Sequence, residues 1–126
     1  MKLILAVIRI AKMNETKVAL SAAGLPSFTA VGVLGRGAGR GLGPTYQEVV
    51  SNPDNQELLK SLGDAPRLKS KRMITLVVTD DKKDLAVETI IKTNQTGNSG
   101  DGKIIVVEAI DSITVRTGEK GDITLD

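Results

Sequence analysis

The second half of the sequence contains the stretch TGNSGDGK at residues 96–103. Before it, apolar residues between Leu85 and Ile91 recur at the spacing of one helix face, and after it residues 103–107 form the apolar run of a strand. The glycines therefore break a helix and lead into a strand. Because another strand pattern at residues 72–78 precedes the helix, this half of the chain predicts a β-α-β unit.

The first half of the chain repeats this order of elements. Residues 3–8 predict a strand, residues 15–23 a helix with Asn14 as its N-cap, and residues 28–34 a second strand. Two such units predict an α+β fold, a ferredoxin-like βαββαβ sandwich with an antiparallel sheet and both helices on one face.

The rest of the chain is predicted to be mostly loop. The remaining segments are a long loop at 36–70 with a weak helical pattern at 56–62, a short fifth strand at 112–115 and a polar tail at 116–126. Asp80 or Asp81 is expected to cap the second helix. The whole chain, residues 1–126, is predicted to be a single domain because its length suits one core.

Both faces of the first strand are apolar. Ile4, Ala6 and Ile8 lie on one side, and Leu5 and Val7 lie on the other. The helices cover only one side of the predicted sheet, and the other side is too apolar to be left exposed to water. We therefore expect self-association to bury the second face.

The composition excludes several classes of function. The chain has no Cys and no His, so thiolate metal sites and the usual neutral-pH general base are missing, and no metal ligand or catalytic residue is predicted. Phe28 and Tyr46 are the only aromatic residues, which argues against nucleic acid as a partner. The apolar run at 3–10 is too short and interrupted for a membrane span or signal peptide, so we expect a cytoplasmic protein without membrane insertion.

Four segments have residues suited to ligand binding. The glycines at 96–103 offer backbone N–H groups to an anion and Lys103 adds positive charge, which fits a phosphate cradle. A plain helix C-cap and turn also explains this spacing. The residues of the other three segments do not decide their roles. The glycine cluster 35–41 fits a flexible arm, an RNA contact or backbone that lies close to a nucleotide. The basic patch 68–72 fits a solvated surface or an anion contact, and residues 116–121 fit a surface turn or a binding site.

Taken together, these segments resemble the PII signalling family. Residues 96–104 are similar to its B-loop signature, 115–119 to its C-loop, 1–9 to its opening strand, and Gly35 with Gly37 to the entrance of its T-loop. The resemblance assigns the T-loop to about residues 36–70, the B-loop to 96–103 and the C-terminal loop to 114–126. It covers nearly the whole chain outside residues 42–66.

The resemblance implies a trimer that binds ATP or ADP in each cleft between subunits, with 2-oxoglutarate beside Mg-ATP at the base of the T-loop. By position, the implied nucleotide-binding residues are Thr29, Gly35, Gly37, Gly100, Asp101, Gly102, Lys103 and Arg116. The phosphates would be cradled by Gly100, Asp101, Gly102 and Lys103. Arg116 would reach the nucleotide from the neighbouring subunit. Lys71 and Gly39 would belong to the 2-oxoglutarate site, where Lys71 gives the carboxylate a charge-assisted partner.

The chain departs from the family pattern at three places. Ala38 and Gly39 stand where the family has a basic residue followed by Gln, which leaves open whether Mg and 2-oxoglutarate bind. Thr114 replaces the first Arg of the C-loop pair, so one positive charge near the phosphates is missing. Tyr46 does not match the family's uridylylated Tyr, and uridylylation is not expected.

Among PII-like proteins, the chain is most similar to the second of the paired proteins encoded beside nitrogenase. This similarity implies a non-enzymatic regulator that inhibits dinitrogenase through its T-loop, either as a homomeric trimer or in a mixed oligomer with a sister protein. ATP with 2-oxoglutarate would relieve the inhibition. Three alternatives stay open: regulation of an ammonium transporter or another nitrogen-metabolism protein, slow ATP hydrolysis, and a purely structural oligomer.

Overall fold

The computed structural model describes residues 1–37 and 68–126, which hold four strands and two helices. The strands are β1 (Lys2–Ile8), β2 (Thr29–Gly35), β3 (Lys69–Val78) and β4 (Lys103–Glu108). The helices are α1 (Met13–Ala22) and α2 (Lys83–Asn94), and short 3-10 turns lie at Ile10–Lys12, Asp80–Lys82 and Asp122–Thr124. This order confirms the two predicted β-α-β units.

The strands form one antiparallel sheet in the order β2-β3-β1-β4. Ala6 on the central strand β1 lies opposite Ile74 on β3 and Ile104 on β4. Both helices pack on the same face of this sheet. The predicted ferredoxin-like α+β sandwich is therefore confirmed.

The core lies between the helices and the sheet. It consists of alternate residues of the two central strands together with helix and loop residues: Ile4, Ala6, Ile8, Ile74, Leu76, Val78, Leu20, Leu25, Ala86 and Ile90. Fully burying an Ile or Leu side chain stabilises a fold by roughly 1.5–3 kcal/mol relative to its exposure. The period-2 pattern of β1 and β3 thus fixes which face of the sheet receives the helices.

The other face of the sheet is also apolar, and the described residues leave much of it uncovered. Leu5 on β1 lies opposite Ile105 on β4, and the neighbouring positions Val31 and Val107 point to the same side. Val31, Ile105 and Val107 are 49%, 50% and 43% exposed. This open face is the surface for which self-association was expected, and the association itself stays a prediction.

The predicted helix caps are wrong. Asn14 lies inside α1, which begins at Met13 directly after a 3-10 turn and has Lys12 at its N-cap position. Asp80 lies in the 3-10 turn before α2, and its carboxylate accepts from the Met1 amino group at 3.0 Å. In both cases a 3-10 turn connects the strand to the helix. The N-cap position therefore lies at a different residue from the one predicted.

The predicted fifth strand at 112–115 is wrong as well. Its segment makes only an isolated bridge, between Ile113 and Lys120, because the chain turns back on itself at once instead of extending along β4. The predicted polar tail is attached to the rest of the protein, since Asp126 is hydrogen bonded to Ser27.

The interior of the long loop lies outside the described residues. Strand β2 ends at Gly35 and β3 begins at Lys69, so the loop starts and ends close to the predicted positions. The weak helical pattern at 56–62 falls on residues that the structure does not describe. In the described part of the chain, no helix is both long enough and apolar enough to cross a membrane.

Candidate functional site

The glycine-rich loop, residues 95–102, joins the end of α2 to the start of β4. Gly102 has φ of +123°, and a Cβ on it would lie 2.0 Å from the carbonyl oxygen of Val7. No side chain fits in that space, so glycine is required there by both conformation and contact. The loop is therefore pressed against the end of β1.

The carboxylate of Asp101 folds the loop around itself. It accepts hydrogen bonds from the Thr96 N–H at 2.7 Å, the Thr96 hydroxyl and the Gly97 N–H at 3.0 Å. The Thr96 hydroxyl, then the Thr96 N–H and further contacts with Arg9 and Gly97, hold the pKa of Asp101 well below its usual value. Asp101 is thus an ionised brace for the loop and not a proton acceptor at neutral pH.

Arg9 ties this brace to the first strand. Its Nη1 lies 2.6 Å from Asp101 Oδ1, and its Nη2 donates to the Ser99 carbonyl at 3.0 Å. The two side chains are 28% and 23% exposed, so the pair is partly shielded from water. Sequence reasoning did not single out Arg9 as a site residue. The available signal was a cation placed directly after an apolar strand.

Lys71 approaches the loop from β3. Its Nζ donates to the Gly100 carbonyl at 2.9 Å. Gly100 has φ of +94°, and a Cβ there would lie 3.3 Å from Arg9 Nη2 and 3.7 Å from Lys71 Nζ. Burial, then the positive charges of Arg9 and Lys69, lower the pKa of Lys71, while Asp101 opposes that shift. Two cations therefore converge on Gly100, and this concentration of positive charge suits an anion.

Two more predicted residues lie on the same side of the sheet as Lys71. Lys103 is opposite Val7 in the β1–β4 pairing, and Gly35 is opposite Lys69 in the β2–β3 pairing. Gly37 follows shortly after β2 and is exposed. A Cβ at Gly35 or Gly37 would meet no described atom within 4 Å, so the described contacts do not demand glycine at either position.

Thr29 and Arg116 lie away from this cluster. Thr29 pairs with Thr75, four residues along β3 from Lys71, a separation of roughly 13 Å at strand spacing. Arg116 lies in the segment after β4, is exposed, and makes no hydrogen bond or ion pair with any described residue. Gly39, the other residue of the expected 2-oxoglutarate site, lies outside the described residues with Ala38.

The described residues hold no group of three or more acidic, His or Cys side chains that could bind a metal ion. What the loop offers instead is backbone. The N–H groups of Ser99 and Gly100 donate no hydrogen bond to any residue that the structure describes. Together with Arg9 and Lys71, they could receive a phosphate or carboxylate group.

Comparison with known proteins identifies related sequences over the whole chain. Residues 1–119 match the family described as "Nitrogen regulatory protein P-II". "Nitrogen fixation nifHD region glnB-like protein 2" of Methanococcus maripaludis is 46% identical over 122 residues, which cover 97% of this chain and 98% of that protein. The protein of the same description from Methanobacterium ivanovii is 43% identical, with 97% of each chain covered. "Nitrogen regulatory protein P-II" of Klebsiella oxytoca is 37% identical, again over 97% of each.

Proposed function

The chain belongs to the nitrogen regulatory protein P-II family, and we propose that it acts as a non-catalytic regulator that binds ATP or ADP at the glycine-rich loop. The observation that carries this proposal is the convergence of Arg9 and Lys71 on Gly100. Beside them stand backbone N–H groups without a described acceptor. Two cations and backbone N–H groups without a described acceptor, gathered around a glycine, suit a phosphate group.

The residues of the loop divide into two roles under this proposal. Gly100 and Gly102 let the backbone come close to the phosphates, and Lys71 with Lys103 supplies positive charge from the same side of the sheet. Asp101 acts indirectly, because an ionised carboxylate would repel phosphate but is needed to hold the loop in shape. ATP would supply no chemistry here, and its binding energy would serve only to select a conformation.

Thr29 and Arg116 would join the site only in an oligomer. Within one subunit they stand apart from the loop, while the apolar face that carries Val31 and Ile105 is left open. Three subunits packed through this face would bury it and bring Arg116 of one subunit to the glycine-rich loop of the next. We therefore include a trimer in the proposal, formed by this chain alone or with a sister protein.

A 2-oxoglutarate site is a separate part of the proposal. Lys71 Nζ lies at the base of the long loop, where its contact with a carbonyl oxygen could be exchanged for a stronger one with a carboxylate. Gly39 brings no side-chain amide to hold Mg. Binding of 2-oxoglutarate beside Mg-ATP would therefore depend on Lys71 and main-chain groups.

The regulated process is proposed from the relatives. Two of the similar proteins carry the nitrogen fixation nifHD region in their descriptions. We place this chain in the control of nitrogen fixation, with the long loop between β2 and β3 binding dinitrogenase in one ligand state and releasing it in another.

Two measurements test the proposed function. Calorimetry with ATP and with ADP should give saturable binding that Lys71→Met weakens, whereas Lys17→Met, an exposed lysine on α1, should leave it unchanged. Pull-down of dinitrogenase should depend on ATP with 2-oxoglutarate. Binding of dinitrogenase that is the same with and without both effectors would contradict the proposed regulation of nitrogen fixation. Absence of any nucleotide binding would contradict the proposed nucleotide site.

A further inference from the structure

The last residue of the sequence is held by three hydrogen bonds. The Asp126 carboxylate accepts from the Ser27 N–H at 2.7 Å and from the Ser27 hydroxyl at 2.8 Å. The main-chain oxygen of Asp126 accepts from Lys82 Nζ at 2.6 Å. Ser27 lies in the loop between α1 and β2, and Lys82 lies in the turn before α2. We name this group of contacts the Ser27–Asp126 clasp.

The other end of the same segment is attached to the sheet. Directly after β4, the Ala109 N–H donates to the Met1 carbonyl at 3.2 Å. Residues 109–126, the C-terminal segment, are therefore tied to the protein body at both ends. A segment tied at two points has far fewer conformations than one tied at a single point.

Between these two attachments the segment is cross-linked by its own hydrogen bonds. The Thr114 N–H donates to the Glu119 carbonyl at 2.9 Å, and the Gly118 N–H donates to the Thr114 carbonyl at 2.7 Å. The Gly121 N–H donates to the Ser112 carbonyl at 2.9 Å. Because the middle is held together in this way, a displacement at the clasp would carry the turn with it.

The clasp joins two parts of the chain that bear candidate site residues. Arg116 lies in the turn of the C-terminal segment, and Thr29 begins β2 two residues after Ser27. Neither residue lies at the glycine-rich loop of its own subunit. Their relative position is thus fixed at the clasp, far along the sheet from Lys71.

We propose that the Ser27–Asp126 clasp is a positioning device that sets the place of Arg116 relative to β2, so that both can meet a nucleotide bound by the neighbouring subunit. Asp126 and Ser27 do not touch the nucleotide in this arrangement and act through Arg116. The proposal rests on the proposed function, which places the nucleotide between subunits. Its physical basis is preorganisation: an Arg whose backbone is held in place loses less conformational freedom on binding than one on a loose segment.

The test compares two neutralised carboxylates in the same segment. Asp126→Asn leaves one acceptor oxygen where Ser27 offers two donors, and Asp122→Asn removes an equal charge from a side chain that makes no described hydrogen bond or ion pair. We expect Asp126→Asn to weaken ATP binding by about 3- to 10-fold, the range of a lost exposed hydrogen bond or two. Asp122→Asn should leave binding unchanged.

A double-mutant cycle distinguishes positioning from a general structural effect. In an Arg116→Ala background, Asp126→Asn should cause no further loss of ATP affinity, because the residue through which it acts is gone. Ser27→Thr, which keeps both donors, should behave as the unchanged protein. Additive losses of Asp126→Asn and Arg116→Ala would overturn the proposal.

Amide hydrogen exchange without nucleotide gives a second readout. Asp126→Asn should speed exchange at Thr114, Gly118 and Gly121 while leaving core amides such as Ile74 unchanged. Equal exchange rates in the variant and the unchanged protein would contradict the claim that the clasp orders the C-terminal segment, even if the protein binds nucleotide. If the unchanged protein binds no nucleotide, the proposed function and the role of Arg116 fail together, and this exchange experiment still decides whether the clasp orders the segment.

Discussion

Gly102 lies against the carbonyl of Val7 so closely that a Cβ on Gly102 would stand 2.0 Å from that oxygen. Val7 also pairs with Lys103, so the contact fixes the point at which the glycine-rich loop enters β4. Arg9, two residues beyond Val7, completes the attachment through Asp101. The first strand of the chain therefore sets the shape of a loop more than 90 positions later.

Replacement of Gly102 by alanine tests this attachment. The added methyl group must displace either the loop or β1, and overpacking of this kind destabilises by about 1–3 kcal/mol. Gly97→Ala is the matched control, because Gly97 has φ of +85° but would meet no described atom within 4 Å. Urea unfolding should show a larger loss for Gly102→Ala than for Gly97→Ala. Equal losses would mean that backbone conformation alone, and not the contact with Val7, requires the glycine.

The hydrogen bonds that Asp101 accepts from Thr96, together with its contacts with Arg9 and Gly97, predict a dependence of stability on pH. Since the folded-state pKa of Asp101 lies below its ordinary value of 3.8, the unfolded chain binds more protons and stability rises with pH in this range. The contribution is complete at neutral pH and declines as pH falls below about 4. Asp101→Asn should therefore be less stable than the unchanged protein at pH 7, with a smaller difference at pH 3.

Denaturant titrations at the two pH values would measure that difference. Asp111→Asn serves as a control, because Asp111 also accepts backbone hydrogen bonds but has no Arg9 beside it. A stability difference between Asp101→Asn and the unchanged protein that is the same at pH 7 and pH 3 would show that the charge of Asp101 is not what holds the loop.

Lys71 predicts a proton uptake on nucleotide binding. Burial and the neighbouring cations lower the pKa of Lys71, so part of the population loses its charge at alkaline pH earlier than an ordinary lysine would. A bound phosphate would raise that pKa and draw a proton from solution. Calorimetry at a series of alkaline pH values in two buffers of different ionisation enthalpy should detect the uptake, and Lys71→Met should abolish it while Lys17→Met should not. No dependence on the buffer at any of these pH values would place the phosphate away from Lys71.

The open face of the sheet predicts the assembly. Ile105, 50% exposed on β4, would be buried in a trimer packed through this face. Ile105→Lys should therefore give a monomer of 13.3 kDa, whereas the unchanged protein should have three times that mass by light scattering. Val18→Lys is the control, since Val18 is 66% exposed on α1, on the helical side. A trimer that survives Ile105→Lys would require a different interface.

Much of the fold could be predicted from the sequence because its signals are local. The four strands and two helices follow from apolar periodicity, and the helix break before residue 96 follows from the glycines. The predicted strand at 112–115 failed because a short apolar pattern does not reveal whether a partner strand is within reach. The caps failed because a 3-10 turn before each helix shifts the register by a few residues.

The candidate site was harder to predict because its contacts join distant parts of the chain. Lys71 and Gly100 were both assigned to the site by the family resemblance, but the attachment of Asp101 to the end of β1 depends on Arg9, which lies 92 positions earlier. No local pattern reports such a pair. Arg116 is a different case, since the proposed partner of its side chain belongs to another subunit.

The most direct test of the central proposal is to follow the backbone amides of the protein by NMR while ATP is added. The proposal predicts saturable shifts at Ser99, Gly100 and Gly102, with the N–H groups of Ser99 and Gly100 moving in the direction of stronger hydrogen bonding. Gly24, which lies in the turn after α1, should not move. Saturating ATP that leaves the amides of the glycine-rich loop unshifted would contradict nucleotide binding at this loop.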